Sequence, residues 1–230
     1  MTERRASRAV ACAFAAGAAL TASSSSLAQS SALEQLPYAV HVDRTPKQSW
    51  PGYGVYLGDG YVLTAAHVVG RAAETQPRVV VDGRALPTEV VLEGAFETND
   101  LTLLRVDPRI LPGRLQLRRL NLCRAPPAPG ERVVVATPEG TAGSHVVAPQ
   151  ELPFDVRTRF PTAIADVATT GNSGSGVFDA WDGCLLGIVS RKIEATWRSA
   201  TSTRTMRSDV AKYFVPATVI RSFLPPVARF

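Results

Sequence analysis

Three residue types that together can break an acyl bond lie in separate stretches of this chain, each in a setting suited to its task. Ser173 stands in Thr169-Thr170-Gly171-Asn172-Ser173-Gly174-Ser175-Gly176-Val177-Phe178, flanked by glycines at the start of a Val-Phe strand. Glycine tolerates positive φ and lets backbone approach a substrate closely, so such a turn can expose a nucleophile. The turn can also aim its own N–H groups at a developing oxyanion, usually the largest catalytic contribution. His67 follows Asp59-Gly60-Tyr61-Val62-Leu63-Thr64-Ala65-Ala66, a strand that delivers an imidazole just past its end. Histidine is the side chain best suited to take and return a proton near neutral pH. Asp100 opens the apolar run Leu101-Thr102-Leu103-Leu104-Arg105-Val106. A carboxylate entering such a run is partly buried and needs a partner.

Each feature alone has a plainer explanation. Gly/Ser/Asn runs are commonly turns, and a lone histidine or strand-opening aspartate is commonly structural. The order His67, Asp100, Ser173 is more informative: α/β-hydrolases run Ser, Asp, His, and subtilisins Asp, His, Ser. The Gly-x-Ser-x-Gly elbow of the hydrolases is also missing, because Ser175 occupies its second glycine position. Ser175 becomes the nucleophile only if the turn is read two residues late. His41, in an early strand, and His145, in a polar loop after Thr141-Ala142-Gly143-Ser144, lack a matching context.

The elements that must carry these residues read as short strands. Apolar segments recur at Tyr38–Val42, Gly54–Leu57, Tyr61–Leu63, Val79–Val81, Glu89–Leu92, Leu101–Val106, Arg132–Ala136, Asp155–Phe160 and Leu185–Val189, punctuated by Gly, Pro and Asp. This pattern predicts an all-β, antiparallel sandwich or barrel. Asp59-Gly60 and Asp182-Gly183 are hairpin signals. The Pro-rich run Ala125–Gly130 separates two halves, and Pro216–Leu224 reads as a short C-terminal helix stopped by Pro225-Pro226.

Residues 1–28 have the layout of a secretory signal peptide: Arg4, Arg5 and Arg8, an Ala-rich apolar centre, and Ser26-Leu27-Ala28 as a cleavage site. The apolar centre is too short for a membrane span, so an exported protein without a stable anchor is expected, periplasmic or secreted. The formal charge of +5 diminishes when that segment leaves. Without a basic stripe and interleaved aromatics, it argues for no nucleic-acid partner. Cys123 and Cys184 remain; in an exported chain a pair suggests a disulfide, the alternative being two buried thiols. Their surroundings suggest no metal, and no cofactor is expected.

At this point the chain resembles the chymotrypsin-fold serine proteases, closest to the bacterial HtrA-type and glutamyl-endopeptidase branches. Asp59 to Val69 looks like the HtrA-type histidine motif, and Asn99-Asp100-Leu101-Thr102-Leu103-Leu104 is similar to the family's aspartate motif. Thr169 to Ser175 looks like the glutamyl-endopeptidase serine motif, with Gly176 where proline is usual and one glycine fewer before Asn172. Lys212-Tyr213-Phe214-Val215-Pro216-Ala217 resembles the end of the HtrA-type protease domain. The resemblance spans roughly residues 36–224. It implies two antiparallel six-stranded barrels, about 36–124 and 131–215 within a protease domain at 29–230, with the active site in the cleft between them. No PDZ domain is expected.

By the same resemblance, Ser173 is the nucleophile of a serine endopeptidase, His67 its base and Asp100 the group that orients the imidazole. The N–H groups of Gly171 and Ser173 form the oxyanion hole. Val167 maps to the base of the primary specificity pocket, followed by Ala168, with Ser190, Arg191 and Lys192 on the opposite wall. An apolar floor favours an aliphatic residue before the cut; an acidic one ranks second, and Lys or Arg is excluded for want of a carboxylate. No Ile-Val-Gly-Gly start follows the signal, and Asn172 replaces the aspartate that would pair with a new N-terminus, so trypsin-type zymogen activation is not expected. Two other functions remain open: a catalytically silent protease-fold binding protein, and an esterase using the same residues.

Overall fold

Val, Leu and Tyr recur along short segments separated by Gly, Pro and Asp, and these segments pair into two antiparallel sheets. The computed structural model describes residues 34–47, 51–165, 173–198 and 205–228. The expected signal peptide, and Val167, Ala168 and Gly171, lie outside the described residues.

The first sheet contains β1 (Ala39–Asp43), β2 (Gly52–Gly58), β3 (Tyr61–Thr64), β4 (Arg78–Val81), β5 (Arg84–Pro87), β6 (Glu89–Glu93) and β7 (Thr102–Arg105). Their order is β5-β4-β1-β2-β3-β7-β6, seven strands where six were expected. The second contains β8 (Arg132–Thr137), β9 (Gly140–His145), β10 (Ala163–Ala165), β11 (Gly176–Asp179), β12 (Leu185–Arg198) and β13 (Thr205–Pro216), ordered β10-β13-β12-β11-β8-β9. Both sheets curl into half-barrels of the chymotrypsin-like fold. Asp59 (φ 50°) and Gly60 (φ 86°) make the tight β2–β3 turn. Two successive positive φ values are what a two-residue turn between twisted strands requires.

One apolar core runs through both sheets. Val55, Leu57, Leu63 and Leu103 of the first pack with Val133, Val135, Val177, Phe178, Leu185 and Phe214 of the second. The sheets are therefore coupled across the boundary that carries the site. A disulfide joins Cys123, in the connection between the halves, to Cys184 before β12, with Cα atoms 5.1 Å apart. Beside it, Cys123 N–H donates to Leu185 O and Leu185 N–H to Asn121 O, at 3.0 and 2.8 Å.

Two expectations need correction. The segment Asp155–Phe160 is not a strand, since Phe154–Arg159 forms a helix. Val156, Thr158 and Phe160 alternate as a strand would, but Val156 and Phe160 are also four apart. Both pack on Val147, Leu152 and Ile193 from one helical face, and Phe154 is left exposed. His145 is not in a loop: it ends β9, paired with Arg132 of β8. That strand is at the sheet edge and has no buried residue, so its Gly-Thr-Ala-Gly-Ser sequence carries no apolar alternation. The C-terminal helix covers Ala217–Phe223, with Ala217 and Ile220 buried. Among the described residues no helix is long and apolar enough to cross a membrane.

Candidate active site

The chain leaves β3 through Thr64, whose Oγ1 donates to Tyr53 O (2.5 Å), and Ala65. It then turns into a single helical turn, α1 (Ala66–Val69), stopped by Gly70 at φ 77°. A first-turn N–H of a helix has no partner within the helix. Here the N–H of His67 donates to Asp100 Oδ1 at 3.1 Å. At the other end of α1, Arg44 donates from Nε to Val68 O (3.1 Å) and from Nη2 to His67 O. The backbone of the histidine is thus held from both sides.

Asp100 precedes β7 in a left-handed conformation, φ 44°. Its N–H donates to Ala95 O (2.9 Å), and Gly94 N–H donates to Leu101 O (2.9 Å), closing the loop before it. Its carboxylate is 1 % exposed, a costly burial unless every oxygen is hydrogen-bonded. Three donors meet that need: the His67 backbone N–H, His67 Nδ1 (3.0 Å to Oδ1, 2.9 Å to Oδ2) and the Ser190 hydroxyl on Oδ2. An acceptor-only carboxylate facing Nδ1 assigns the proton to that nitrogen, which leaves Nε2 with a lone pair.

Ser190 lies on β12 where the pairing with β13 slips between Val189 and Arg191. Such a bulge re-aims a side chain, here into the buried interface with Asp100. Ser173 is held in place by its backbone, with Ser173 O accepting from Tyr53 N–H (2.9 Å) and Gly174 N–H donating to Val189 O (2.8 Å). The approach is close enough to demand glycine. Gly174 has φ 91°, and a Cβ there would stand 1.8 Å from Tyr53 O. The Ser173 hydroxyl donates to the backbone Ser190 O at 3.0 Å, while the Ser190 side chain donates to Asp100, so Ser190 holds both the serine and the carboxylate that grips His67. Ser175, two residues on, is fully buried.

The sequence-derived residues therefore divide. His67, Asp100, Ser173 and Ser190 are brought together; Arg191 adjoins them and Lys192 is exposed. Two neighbours carried no sequence signal. The ring of Phe96 meets the His67 ring edge-on at 5.2 Å, and the Arg191 guanidinium lies over Phe96 at 3.9 Å. Arg44 is the other; nothing in an isolated arginine after a strand marks it as a helix clamp. Burial pushes the Tyr213 phenol above its ordinary value, opposed by Arg191 and reinforced by Asp100. Chemically, the arrangement is an imidazole whose tautomer is fixed by a buried carboxylate, with the Ser173 hydroxyl on the carbonyl of the residue that also binds that carboxylate.

Comparison with known proteins bears on the family and the fold. Residues 52–188 match the profile of the trypsin-like peptidase domain. No curated protein sequence matches the chain. Among solved structures, kallikrein-related peptidase 10 in complex with Zn2+ is 20% identical with TM-score 0.60, covering 84% of this chain and 96% of that one. The Rv3671c protease from M. tuberculosis, in its active form, is 16% identical with TM-score 0.55, covering 84% and 81%. The MamO protease domain from Magnetospirillum magneticum is 22% identical with TM-score 0.54, covering 83% and 97%.

Proposed function

Since the chain belongs to the trypsin-like peptidase family, we propose that it is an exported serine endopeptidase working through an acyl-enzyme, with Ser173 as nucleophile, His67 as base and Asp100 as its orienting partner. The observation that carries this reading is the buried Asp100 carboxylate gripping both the backbone N–H and Nδ1 of His67. A structural histidine needs no such double hold.

In the first step the Ser173 hydroxyl turns from Ser190 O toward Nε2. Oγ bonds to the scissile carbonyl carbon, its proton passes to Nε2, and the carbonyl oxygen becomes an oxyanion. The N–H groups of Ser173 and Gly171 would receive that charge. Collapse breaks the C–N bond as Nε2–H protonates the leaving amine. Water then repeats the sequence on the ester, giving its proton to Nε2 and releasing the acid. Throughout, Asp100 stabilises the imidazolium, and Ser190 and the His67 N–H keep the carboxylate oriented.

An aliphatic residue before the cut is the proposed primary preference, resting on the family resemblance that maps the apolar Val167 and Ala168 to the pocket, with an acidic residue second. Export is supported by the disulfide, since such bonds persist outside reducing compartments. The test is hydrolysis of an unfolded protein by purified protein. Ser173→Ala should lower turnover by about six orders of magnitude, as loss of the nucleophile does in related machinery. His67→Ala should cost about the same without adding to it. Near-normal activity in Ser173→Ala would overturn the assignment.

A further inference from the structure

Arg191 spans the cleft. It starts on β12 in the second sheet, and its guanidinium ends over Phe96, in the loop that leads to Asp100 in the first. Three contacts fix it there. Nη2 donates to Phe96 O at 2.8 Å, Nε lies 3.4 Å from Ser190 Oγ, and a second ring, Phe160, is 5.2 Å away on the other element. Phe160 in turn packs on Tyr213 at 5.1 Å. A surface arginine that merely reaches for solvent has no such cradle.

The cradle supplies aromatic faces and a carbonyl, but no carboxylate. Among the described residues no ion pair neutralises Arg191. Asp100, the nearby acid, spends both oxygens on His67 and Ser190. A guanidinium carries five N–H donors in a fixed fork. Those on Nη1, and the second on Nη2, point to no described acceptor. The result is a pre-oriented, partly desolvated cation one ring away from the catalytic imidazole. That is a setting in which an arriving carboxylate gains more than at an open surface.

A route for such a carboxylate exists. The pairing of β11 with β12 ends at Gly176 and Ile188, whereas β12 continues beyond it, paired with β13 through Arg191 and Lys192. Next to Ser190, therefore, one edge of β12 runs on without a described strand beside it. An extended peptide can add there by main-chain pairing, with specificity left to the side chains it meets.

We propose that Arg191 is a specificity-determining residue that selects substrates carrying Asp or Glu close to the scissile bond, at a position other than the residue whose carbonyl Ser173 attacks. This rests on the protease reading above. It is separate from the preference at the primary pocket, because the cation sits over Phe96 on the His67 side of the cleft.

The experiment uses internally quenched peptides in which each position flanking a fixed aliphatic cleavage residue is varied between Glu and Gln. The readout is the Glu/Gln ratio of kcat/KM within each variant, so differences in basal activity cancel. In the unmodified protein one position should show a ratio of about 10 to 100, the range for a charge-assisted pair. In Arg191→Gln the ratio should fall to about 1, and Arg191→Lys, which keeps the charge but not the fork, should lie between. Raised salt should shrink the ratio in the unmodified protein and in Arg191→Lys, but not in Arg191→Gln. Cleavage with no acidic preference at any flanking position, or a preference that survives Arg191→Gln, overturns the inference and leaves the protease reading standing. Absence of cleavage and of fluorophosphonate labelling in the unmodified protein overturns both.

Discussion

Replacing Asp100 by asparagine keeps the shape of the site and removes its charge and half of its acceptor capacity. The carboxylate takes donors on both oxygens: the His67 N–H on Oδ1, Ser190 on Oδ2, and Nδ1 within 3.0 Å of each. An amide offers one oxygen and one NH2 group, so in either orientation an N–H faces Nδ1. That favours the tautomer with the proton on Nε2, which cannot act as base. The imidazolium formed during reaction also loses its counter-charge. With the charge centres about 4 Å apart and an effective dielectric near 20, that is worth about 4 kcal/mol, or about three decades in rate. Adding the tautomer penalty, Asp100→Asn should lower kcat by about 10³ to 10⁴, in line with the equivalent change in related triads, and leave KM within about threefold. Initial rates on a quenched peptide measure it, with a thermal melt on the same sample establishing that the variant is folded. A folded Asp100→Asn protein within tenfold of the parent would refute the claim that this buried carboxylate governs His67.

Other predictions test the frame that holds the site. The Cys123–Cys184 bridge spans a sequence separation of 61, worth about 4 kcal/mol in the chain-entropy treatment. The Cys123→Ala/Cys184→Ala pair should therefore melt about 8 to 16 °C lower; an unchanged Tm would contradict this. Burial holds the His41 imidazole below its ordinary value despite Glu139 at 3.2 Å and the nearby Asp43. The unfolded chain then binds the extra proton first, so stability is full above the usual imidazole range near 6.5 and declines as pH falls through it. Urea unfolding at several pH values should show a shallower decline for His41→Gln, and an identical slope in both proteins would count against it. At Gly174 an added Cβ meets Tyr53 O at 1.8 Å, whereas at Gly83, also at positive φ (74°), it meets nothing within 4 Å. Gly174→Ala should lose both activity and stability, while Gly83→Ala should cost only about 1 to 2 kcal/mol of backbone strain. Equal effects in the two melts would show that the turn is not held against β2 as described.

The legible parts of the sequence were those where local chemistry and local pattern coincide. The strands around Val55, Leu63, Leu103 and Val135 are buried and read directly as apolar runs, and Asp59-Gly60 marked its hairpin. His67 and Asp100 were each recognisable from flanking residues, and their hydrogen bonds join positions 33 apart in sequence. The features that leave no mark in the sequence depend on tertiary placement. Edge strand β9 has no buried residue and no apolar period, and Phe154–Arg159 mimics strand alternation while using a helical face. The contact of Ser190 with Asp100 is silent in the sequence, because its hydroxyl reaches across 90 residues through a bulge that no local pattern encodes. Arg44 and Phe96 act on His67 through a carbonyl and a ring edge, contacts that any arginine or phenylalanine can make.

The central claim is that Ser173, and no neighbouring hydroxyl, is the nucleophile activated by His67. Labelling the folded protein with a fluorophosphonate, followed by mass spectrometry of its peptides, tests it most directly. A single adduct on the peptide at Ser173 is expected, absent in Ser173→Ala and strongly slowed in His67→Ala. An adduct at Ser175, or a folded protein that takes up no label, would contradict the account.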